Sequence, residues 1–204
     1  MTRLGFLLAR ALRPEQPLGR LSVPEEALLA GVTNKSVALI GNARSLSSGN
    51  SGHAIDSADI VIRINRAPMP ATRTHGSRTD WLALATSISA ADLDRIRPKR
   101  ILWMSPKRKR LAYAVATSAG FYLHPLPRIA TLATALGAPP TTGMMMIDLL
   151  TASGLARLDL YGFDFFASLS LTGSRTADQV PHDFAAERRF VEALAARDPR
   201  IVLR

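Results

Sequence analysis

Two short apolar runs joined by a polar loop constrain the fold of this chain most. Residues 37–41 (VALIG) are apolar throughout, and residues 60–65 (IVIRIN) form a second, β-branched run. Such runs are typical of strands in a parallel sheet that is covered on both faces. The loop between them, 42–52, is rich in Asn, Ser and Gly, which permit unusual backbone angles and leave amide groups free. The pattern predicts two strands joined by a loop that a ligand can approach closely.

An asparagine stands at the end of each run. The carboxyl ends of parallel strands meet at one edge of a sheet, where ligands of open α/β folds bind, so Asn42 and Asn65 are expected to face one ligand. Asparagine also follows strands because it tolerates turns, and a turn-forming role remains the alternative. The loop contains neither G-x-G-x-x-G nor G-x-x-x-x-G-K-[ST], which disfavours a dinucleotide or ATP site.

Strand-like and helix-like segments alternate along the rest of the chain. Strands are predicted at 81–84, 101–104, 121–123 and 158–163, and helices at 89–95, 107–118, 144–152 and after Pro181. This alternation predicts one α/β domain with a mostly parallel sheet and helices on both faces. With 204 residues, 47% of them hydrophobic, the chain is large enough to bury such a core. We place the domain at residues 31–204, after a basic, amphipathic extension at residues 1–30.

A Thr-Thr-Gly turn opens the most apolar predicted helix. The first amide groups of a helix lack partners within it and lie at the positive end of its dipole, so Thr141, Thr142 and Gly143 would suit a phosphate or carboxylate. Thr142 as a simple helix cap is the alternative. The methionines that follow are expected to pack in the core.

A histidine precedes the last predicted helix. His182 stands just before the first turn, with Asp183 as the expected cap. A histidine beside a cleft can act as a general base, since its ordinary pKa is about 6.5. Glu187 lies in the first turn, where an acid also simply complements the helix dipole.

The chain is strongly basic, with a formal charge of +10. Residues 97–100 (RPKR) and 107–110 (KRKR) are the densest clusters, and nucleic acid, an anionic membrane or an acidic glycan would each supply the opposite charge. A solvated basic rim explains the clusters equally well. Nucleic acid has the thinnest support, because Trp103 and Tyr113 form no stacking array with the basic residues. The basic and apolar residues of 1–12 indicate a short amphipathic helix. We expect this helix to pack on the domain, with membrane contact as an alternative.

Several absences limit the possible chemistry and the compartment. The chain has no cysteine, which excludes thiol catalysis, and no H-E-x-x-H zinc spacing. Asp92 and Asp94 match a metal-binding D-x-D only superficially, because they fall in a predicted helix and read as a solvated pair. No apolar stretch approaches the roughly 20 residues of a membrane span, and no signal peptide is recognised. We therefore expect a cytoplasmic protein, with peripheral contact to the inner membrane as a further expectation.

Taken in order, these segments resemble the sialyltransferase family, glycosyltransferase family 29, as a compact bacterial-type relative. Residues 37–68 are similar to its long motif, with Gly-Asn at 41–42, Ile-Asp-Ser at 55–57 and Arg-x-Asn-x-Ala-Pro at 63–68. Thr-Thr-Gly at 141–143 and Tyr-Gly-Phe at 161–163 resemble the short motif, and His182 with Glu187 matches the His-x4-Glu motif. The resemblance spans roughly residues 37–190.

The resemblance implies a GT-A-like, Rossmann-like fold and an inverting, metal-independent transferase that needs no cofactor beyond its CMP-sugar donor. Asn42 and Asn65 would contact the CMP part, the Thr-Thr-Gly turn would line the cytidine or carboxylate region, His182 would be the base and Glu187 would support it. The donor would carry sialic acid or another ulosonic acid such as Kdo, and the acceptor would be a cell-surface glycan or glycolipid such as lipopolysaccharide or capsule. A nucleic-acid-binding module and a non-catalytic nucleotide-binding relative remain the alternatives.

The chain departs from the family pattern at several positions. Val37 and Leu155 stand near the positions of the family's disulfide cysteines, and Ala43 replaces a serine that often follows the first asparagine. The family's third motif cannot be aligned within residues 168–180. The polar segment 169–180 is expected to be a mobile loop that could act as a lid.

Overall fold

The sheet contains seven parallel strands within the residues that this computed structural model describes, which are 1–12, 15–165, 171 and 179–204. The strands are β1 (Ser36–Ile40), β2 (Ile60–Ile64), β3 (Trp81–Leu84), β4 (Arg100–Trp103), β5 (Tyr122–Leu123), β6 (Arg157–Tyr161) and β7 (Ile201–Leu203). Their order across the sheet is β5-β4-β3-β2-β1-β6-β7, and every pair is parallel. The predicted α/β fold with a mostly parallel sheet is confirmed.

Helices connect the strands, as parallel pairing requires. They are α1 (Arg3–Leu12), α2 (Glu15–Gly19), α3 (Glu25–Ala30), α4 (Gly52–Asp56), α5 (Thr72–His75), α6 (Ala90–Ile96), α7 (Tyr113–Ala116), α8 (Leu126–Leu136), α9 (Thr142–Thr151) and α10 (Phe184–Arg197). Short 3-10 helices lie at Arg44–Ser48 and Arg108–Arg110. Among the described residues, every helix is too short or too polar to cross a membrane.

Alternate residues of the strands build a core on each face of the sheet. On one face Leu39 and Ile62 pack with residues of α3, α8, α9 and α10, and the methionines of α9 are buried there, as expected. On the other face α1, α2, α6 and α7 cover Leu82 and Trp103, while α4 covers Val61. Val37 and Leu155, near the family's cysteine positions, are both buried in the first core. Apolar packing therefore joins the segments that carry these two residues.

Residues 1–30 contribute to both cores. Phe6 of α1 and Leu18 of α2 are fully buried on one face, and Leu28 of α3 on the other. The expected packing of the N-terminal helix on the domain is confirmed. The domain boundary after residue 30 stays a prediction.

The predicted helix at 107–118 is wrong, because its first half is held in a turn by a buried arginine. Arg108 donates to the carbonyls of Ser105 and His124 at 2.7 Å each and forms an ion pair with Glu15 at 2.9 Å. Its side chain is pulled inward, so the chain makes one 3-10 turn, runs extended at Leu111 and resumes as the four-residue α7. The sequence gives no sign of this, since the partners are distant along the chain.

The two basic clusters lie at opposite ends of β4 and do not form one patch. Residues 97–99 precede the strand, Arg100 begins it and 107–110 follow it, and the four strand residues span about 13 Å. Lys99 pairs with Asp80 at 2.8 Å, and the guanidinium of Arg100 lies 5.3 Å from the centre of the Trp81 ring. Much of the first cluster is therefore engaged within the domain.

Candidate active site

Asn65 connects the ends of two strands with the start of a helix. It follows β2 and has a positive φ of 53°, which asparagine tolerates better than most residues. Its side-chain oxygen accepts a hydrogen bond from the amide of Ala85, the residue after β3, at 2.9 Å. Its side-chain nitrogen lies 3.5 Å from the hydroxyl of Thr142 in α9. Asn65 is thus a turn former whose side chain also points toward the Thr-Thr-Gly turn, so both interpretations of this residue have support.

Asn42 lies at the end of β1 beside a close approach of two backbones. A Cβ atom on Gly41 would collide with the carbonyl oxygen of Gly162, the residue after β6, so only glycine fits there. Asn42 is half-buried, and its backbone carbonyl accepts a hydrogen bond from the amide of Leu171 at 2.7 Å. The tight contact fixes the direction in which the chain leaves β1.

Phe163 joins this strand edge to helix α9. A Cβ atom on Gly143 would lie 2.5 Å from the Phe163 ring, and one on Gly41 would lie 3.3 Å from it. The lack of a side chain at Gly41 and Gly143 therefore lets both segments pack closely against the aromatic ring of Tyr-Gly-Phe. This contact brings the three segments together in the fold.

Thr141, and not Thr142, caps helix α9. The Thr141 hydroxyl accepts a hydrogen bond from the amide of Met144 at 3.1 Å. Thr142 is instead the first helical residue, buried, with its hydroxyl toward Asn65. The alternative interpretation of Thr142 as the cap is wrong by one residue, because either threonine has the side chain for that role.

Glu187 binds Thr141, the residue that caps α9. It is 4% exposed, and its two oxygens accept hydrogen bonds from the Thr141 amide at 2.6 Å and from the Thr141 hydroxyl at 2.8 Å. Burial raises the pKa of Glu187 from its ordinary value to about 7, although the two bonds from Thr141 oppose this change. Its position in the first turn of α10 would suit the helix dipole alone, but the contacts indicate that it positions the start of α9.

His182 is oriented by a backbone carbonyl. Its Nδ1 atom lies 2.7 Å from the carbonyl oxygen of Pro139. A carbonyl can only accept, so Nδ1 carries the hydrogen and the neutral ring presents the lone pair of Nε2. Asp183 caps α10 as predicted, since its side chain accepts from the Ala186 amide at 2.8 Å. His182 therefore has the tautomer that a general base requires.

The start of α9 is where Asn65, Glu187 and His182 converge. Asn65 contacts it from β2, Glu187 contacts it from α10, and His182 is bonded to Pro139, two residues before Thr141. The amide groups of Thr142 and Gly143 have no hydrogen-bond acceptor within the described part of the chain. They are the donors available to an anionic ligand at this helix end.

Sequence reasoning missed several contributors to this region. Ala85 acts through its backbone amide, which no residue type reveals. Pro139 contributes a carbonyl in the same way. Asp164 accepts a hydrogen bond from the Ser45 hydroxyl at 3.0 Å and ties the 42–52 loop to the end of β6. The signal for Asp164 was its position directly after Tyr-Gly-Phe.

Two further expectations concern the segment 168–180 and metal binding. Nearly all of the proposed lid and of the third-motif region, 168–180, lies outside the described residues; Leu171, Gln179 and Val180 are the exceptions. Over the described ranges, no three His, Asp or Glu side chains are grouped so that they could hold a metal ion. Asp92 lies in helix α6, as the sequence predicted, where it forms a hydrogen bond with Ser89 and an ion pair with Arg95.

Comparison with known proteins tests the predicted family resemblance. Residues 21–120 match the model for glycosyltransferase family 29 (sialyltransferase). The predicted resemblance to the sialyltransferase family is confirmed. The family match contains Asn42 and Asn65, while the Thr-Thr-Gly turn, His182 and Glu187 lie beyond it. Curated proteins gave no match to the sequence.

Solved sialyltransferase structures share the fold over most of this chain. A mammalian sialyltransferase superposes with a TM-score of 0.60 at 18% identity, covering 84% of this chain and 69% of that one. A mammalian sialyltransferase in complex with Gal-beta-1-3GalNAc-ortho-nitrophenol gives 0.59 at 17% identity, covering 100% and 86%. CstII from Campylobacter jejuni in complex with cytidine-5'-monophosphate gives 0.56 at 14% identity, covering 84% and 80%. The GT-A-like fold of the prediction agrees with these relatives.

Proposed function

We propose that this protein is a CMP-sugar-dependent glycosyltransferase that transfers sialic acid or a related ulosonic acid, such as Kdo, to a glycan hydroxyl. The observation that carries the proposal is the contact between Asn65 and Thr142, which brings the family-matched strand edge to the start of α9. The similar solved structures include one in complex with cytidine-5'-monophosphate and one in complex with Gal-beta-1-3GalNAc-ortho-nitrophenol.

The donor would be held by neutral groups at the sheet edge. We assign the phosphate or carboxylate of the CMP-sugar to the amides of Thr142 and Gly143, at the positive end of the α9 dipole. Asn42 and Asn65 would bind the remainder of the CMP. Fixed amides aimed at the leaving phosphate stabilise its charge as the glycosidic bond breaks, so the reaction requires no cation and no cofactor.

The acceptor would be activated by His182. Its Nε2 lone pair would take the proton of the acceptor hydroxyl while the acceptor oxygen forms a bond to the anomeric carbon and the bond to the CMP oxygen breaks. A single displacement of this kind inverts the anomeric configuration. Glu187 would act through α9, by fixing Thr141, and not on the substrate itself.

Hydrolysis of a panel of CMP-sugars tests the proposal without knowledge of the acceptor. We expect release of CMP from CMP-sialic acid or another CMP-ulosonic acid, in the presence of EDTA, at a rate that His182→Ala lowers. The acceptor is then identified by adding candidate oligosaccharides to the donor that the protein hydrolyses. We expect it to be a cell-surface glycan, such as lipopolysaccharide or capsule. Absence of hydrolysis together with absence of CMP binding would contradict the proposal, and loss of activity in EDTA with rescue by manganese would reject the metal-independent mechanism.

A further inference from the structure

Helix α1 presents a row of large apolar side chains to solvent. Leu4, Leu8 and Leu12 recur every four residues and are 69%, 55% and 77% exposed, and Leu7 and Met1 beside them are more than 40% exposed. Soluble domains rarely leave a contiguous apolar row uncovered unless it binds something. The same helix buries Phe6 and Ala9, so its outer row is additional to the face that packs on the domain.

The domain holds α1 in a defined orientation. The Phe6 ring packs edge-on against Tyr113 at 5.4 Å, and the Tyr113 hydroxyl donates to the carbonyl of Met1 at 3.2 Å. The Arg10 guanidinium donates to the carbonyl of Leu111 at 3.1 Å. Both Leu111 and Tyr113 follow the basic turn Arg108–Arg110 directly. Helix α1, which carries the apolar row, and the basic turn are therefore neighbouring elements.

The charged side chains of α1 and of the turn 107–110 are all positive, and the neighbouring acid, Glu15, is paired with Arg108. Lys107, Lys109 and Arg110 are exposed around the buried Arg108, and Arg3 is exposed on α1. Residues 1–14 and 95–147 contain no Asp or Glu. Exposed leucines with flanking Lys and Arg are the combination that binds the boundary between acyl chains and anionic headgroups.

We propose that α1 and the turn 107–110 form a docking surface for an anionic lipid bilayer, with Leu4, Leu8 and Leu12 inserted among the acyl chains. The turn follows the carboxyl end of β4, so it lies at the same edge of the sheet as Asn42 and Asn65. If the proposed function holds, the acceptor is membrane-borne, because docking brings that edge of the sheet to the lipid surface. The docking itself does not depend on the proposed function.

Co-sedimentation with vesicles tests the docking. The purified chain is mixed with phosphatidylcholine vesicles, with or without phosphatidylglycerol, in the absence of nucleotide. We expect binding to the anionic vesicles that falls as salt rises. Leu4→Ser/Leu8→Ser should lower the partition constant about tenfold or more, since each leucine loses its burial in lipid. Lys107→Gln/Lys109→Gln/Arg110→Gln should lower it about a hundredfold at low salt on anionic vesicles alone.

Matched variants remove comparable side chains elsewhere. Leu203→Ser deletes a 40% exposed leucine on the far edge of the sheet, and Lys35→Gln/Arg97→Gln/Arg197→Gln removes three exposed charges outside α1 and the turn 107–110. Neither should reduce binding as much as its counterpart. Unchanged melting temperatures of the leucine variants are expected, since the replaced side chains lie in solvent.

Several results would overturn the proposal. Failure of the wild-type chain to bind anionic vesicles would do so, as would binding that the control variants reduce equally. Concentration-dependent dimers that Leu4→Ser/Leu8→Ser abolishes, without vesicle binding, would show that a second copy covers the face. Binding of an oligonucleotide that needs 107–110 but not the leucines, again without vesicle binding, would identify nucleic acid as the partner.

Discussion

Glu187 and Thr141, 46 residues apart in the sequence, are joined by two hydrogen bonds. The Glu187 carboxylate accepts one from the threonine amide at 2.6 Å and one from the threonine hydroxyl at 2.8 Å. The threonine hydroxyl accepts in turn from the amide of Met144 and so caps α9. The carboxylate therefore fixes the helix end that we assign to the donor phosphate.

Glu187→Ala should lower both stability and donor affinity. It leaves the part-buried Thr141 amide without this acceptor, which costs about 1–3 kcal/mol in the free energy of unfolding. Urea denaturation and CMP titration measure the two effects. Glu192→Gln is the control, because Glu192 lies on the same helix but is exposed and pairs with the exposed Arg188. A Glu187→Ala protein with wild-type stability and CMP affinity would contradict the positioning role.

The pH dependence of stability should carry a signature of Glu187. Burial raises its pKa from 4.5 to about 7, so the folded state favours the protonated form. Its contribution to stability is fully present below pH 4.5, falls as pH rises, and is lost once pH has passed about 7. The total change is roughly 3 kcal/mol. The difference in unfolding free energy between wild type and Glu187→Gln, measured from pH 4.5 to 8, should show this fall; a flat difference would mean that the carboxylate is not perturbed.

Asn65→Gly separates turn formation from ligand binding. Glycine accepts the positive φ of 53°, so the turn survives, but the side chain that contacts Ala85 and Thr142 is removed. We expect CMP affinity to fall about tenfold, a typical consequence of losing a hydrogen bond with good geometry. Asn34→Gly is the control, since Asn34 has a similar φ of 57° and is exposed. Undiminished CMP affinity in Asn65→Gly would leave this residue as a turn former only.

His182→Ala should abolish transfer and spare CMP binding. Loss of a general base costs about 10²- to 10⁴-fold in rate, whereas the CMP contacts assigned here do not involve the histidine. Rate measurements at saturating donor, combined with CMP titration, check both parts. His53→Ala is the control, because His53 is exposed on α4. Wild-type turnover in His182→Ala would reject the base assignment, and intact CMP binding without transfer in the wild type would favour a non-catalytic relative.

Much of the fold was predictable because local patterns agreed with the tertiary structure. The apolar runs before Asn42 and Asn65 became adjacent parallel strands, and Ser89 and Asp183 cap their helices as their residue types suggest. The errors came from contacts between distant residues. Arg108 binds Glu15, 93 residues away, and this replaced the predicted helix with a turn.

The site was predictable to the extent that side chains, and not backbone groups, build it. Asn65 and His182 were proposed as site residues because each follows or precedes an element with a clear pattern. The role of Glu187 was not predictable, since the helix dipole explained an acid at that position equally well. Ala85 and Pro139 act through an amide and a carbonyl, which leave no trace in the residue type.

Calorimetric titration of CMP, against AMP and UMP, tests the central claim most directly. The account predicts that CMP binds more tightly than either nucleotide, in EDTA, and that Asn65→Gly weakens CMP binding while Asn34→Gly does not. Equal affinity for the three nucleotides, or CMP binding that Asn65→Gly leaves unchanged, would contradict a CMP-sugar site between β2 and the start of α9.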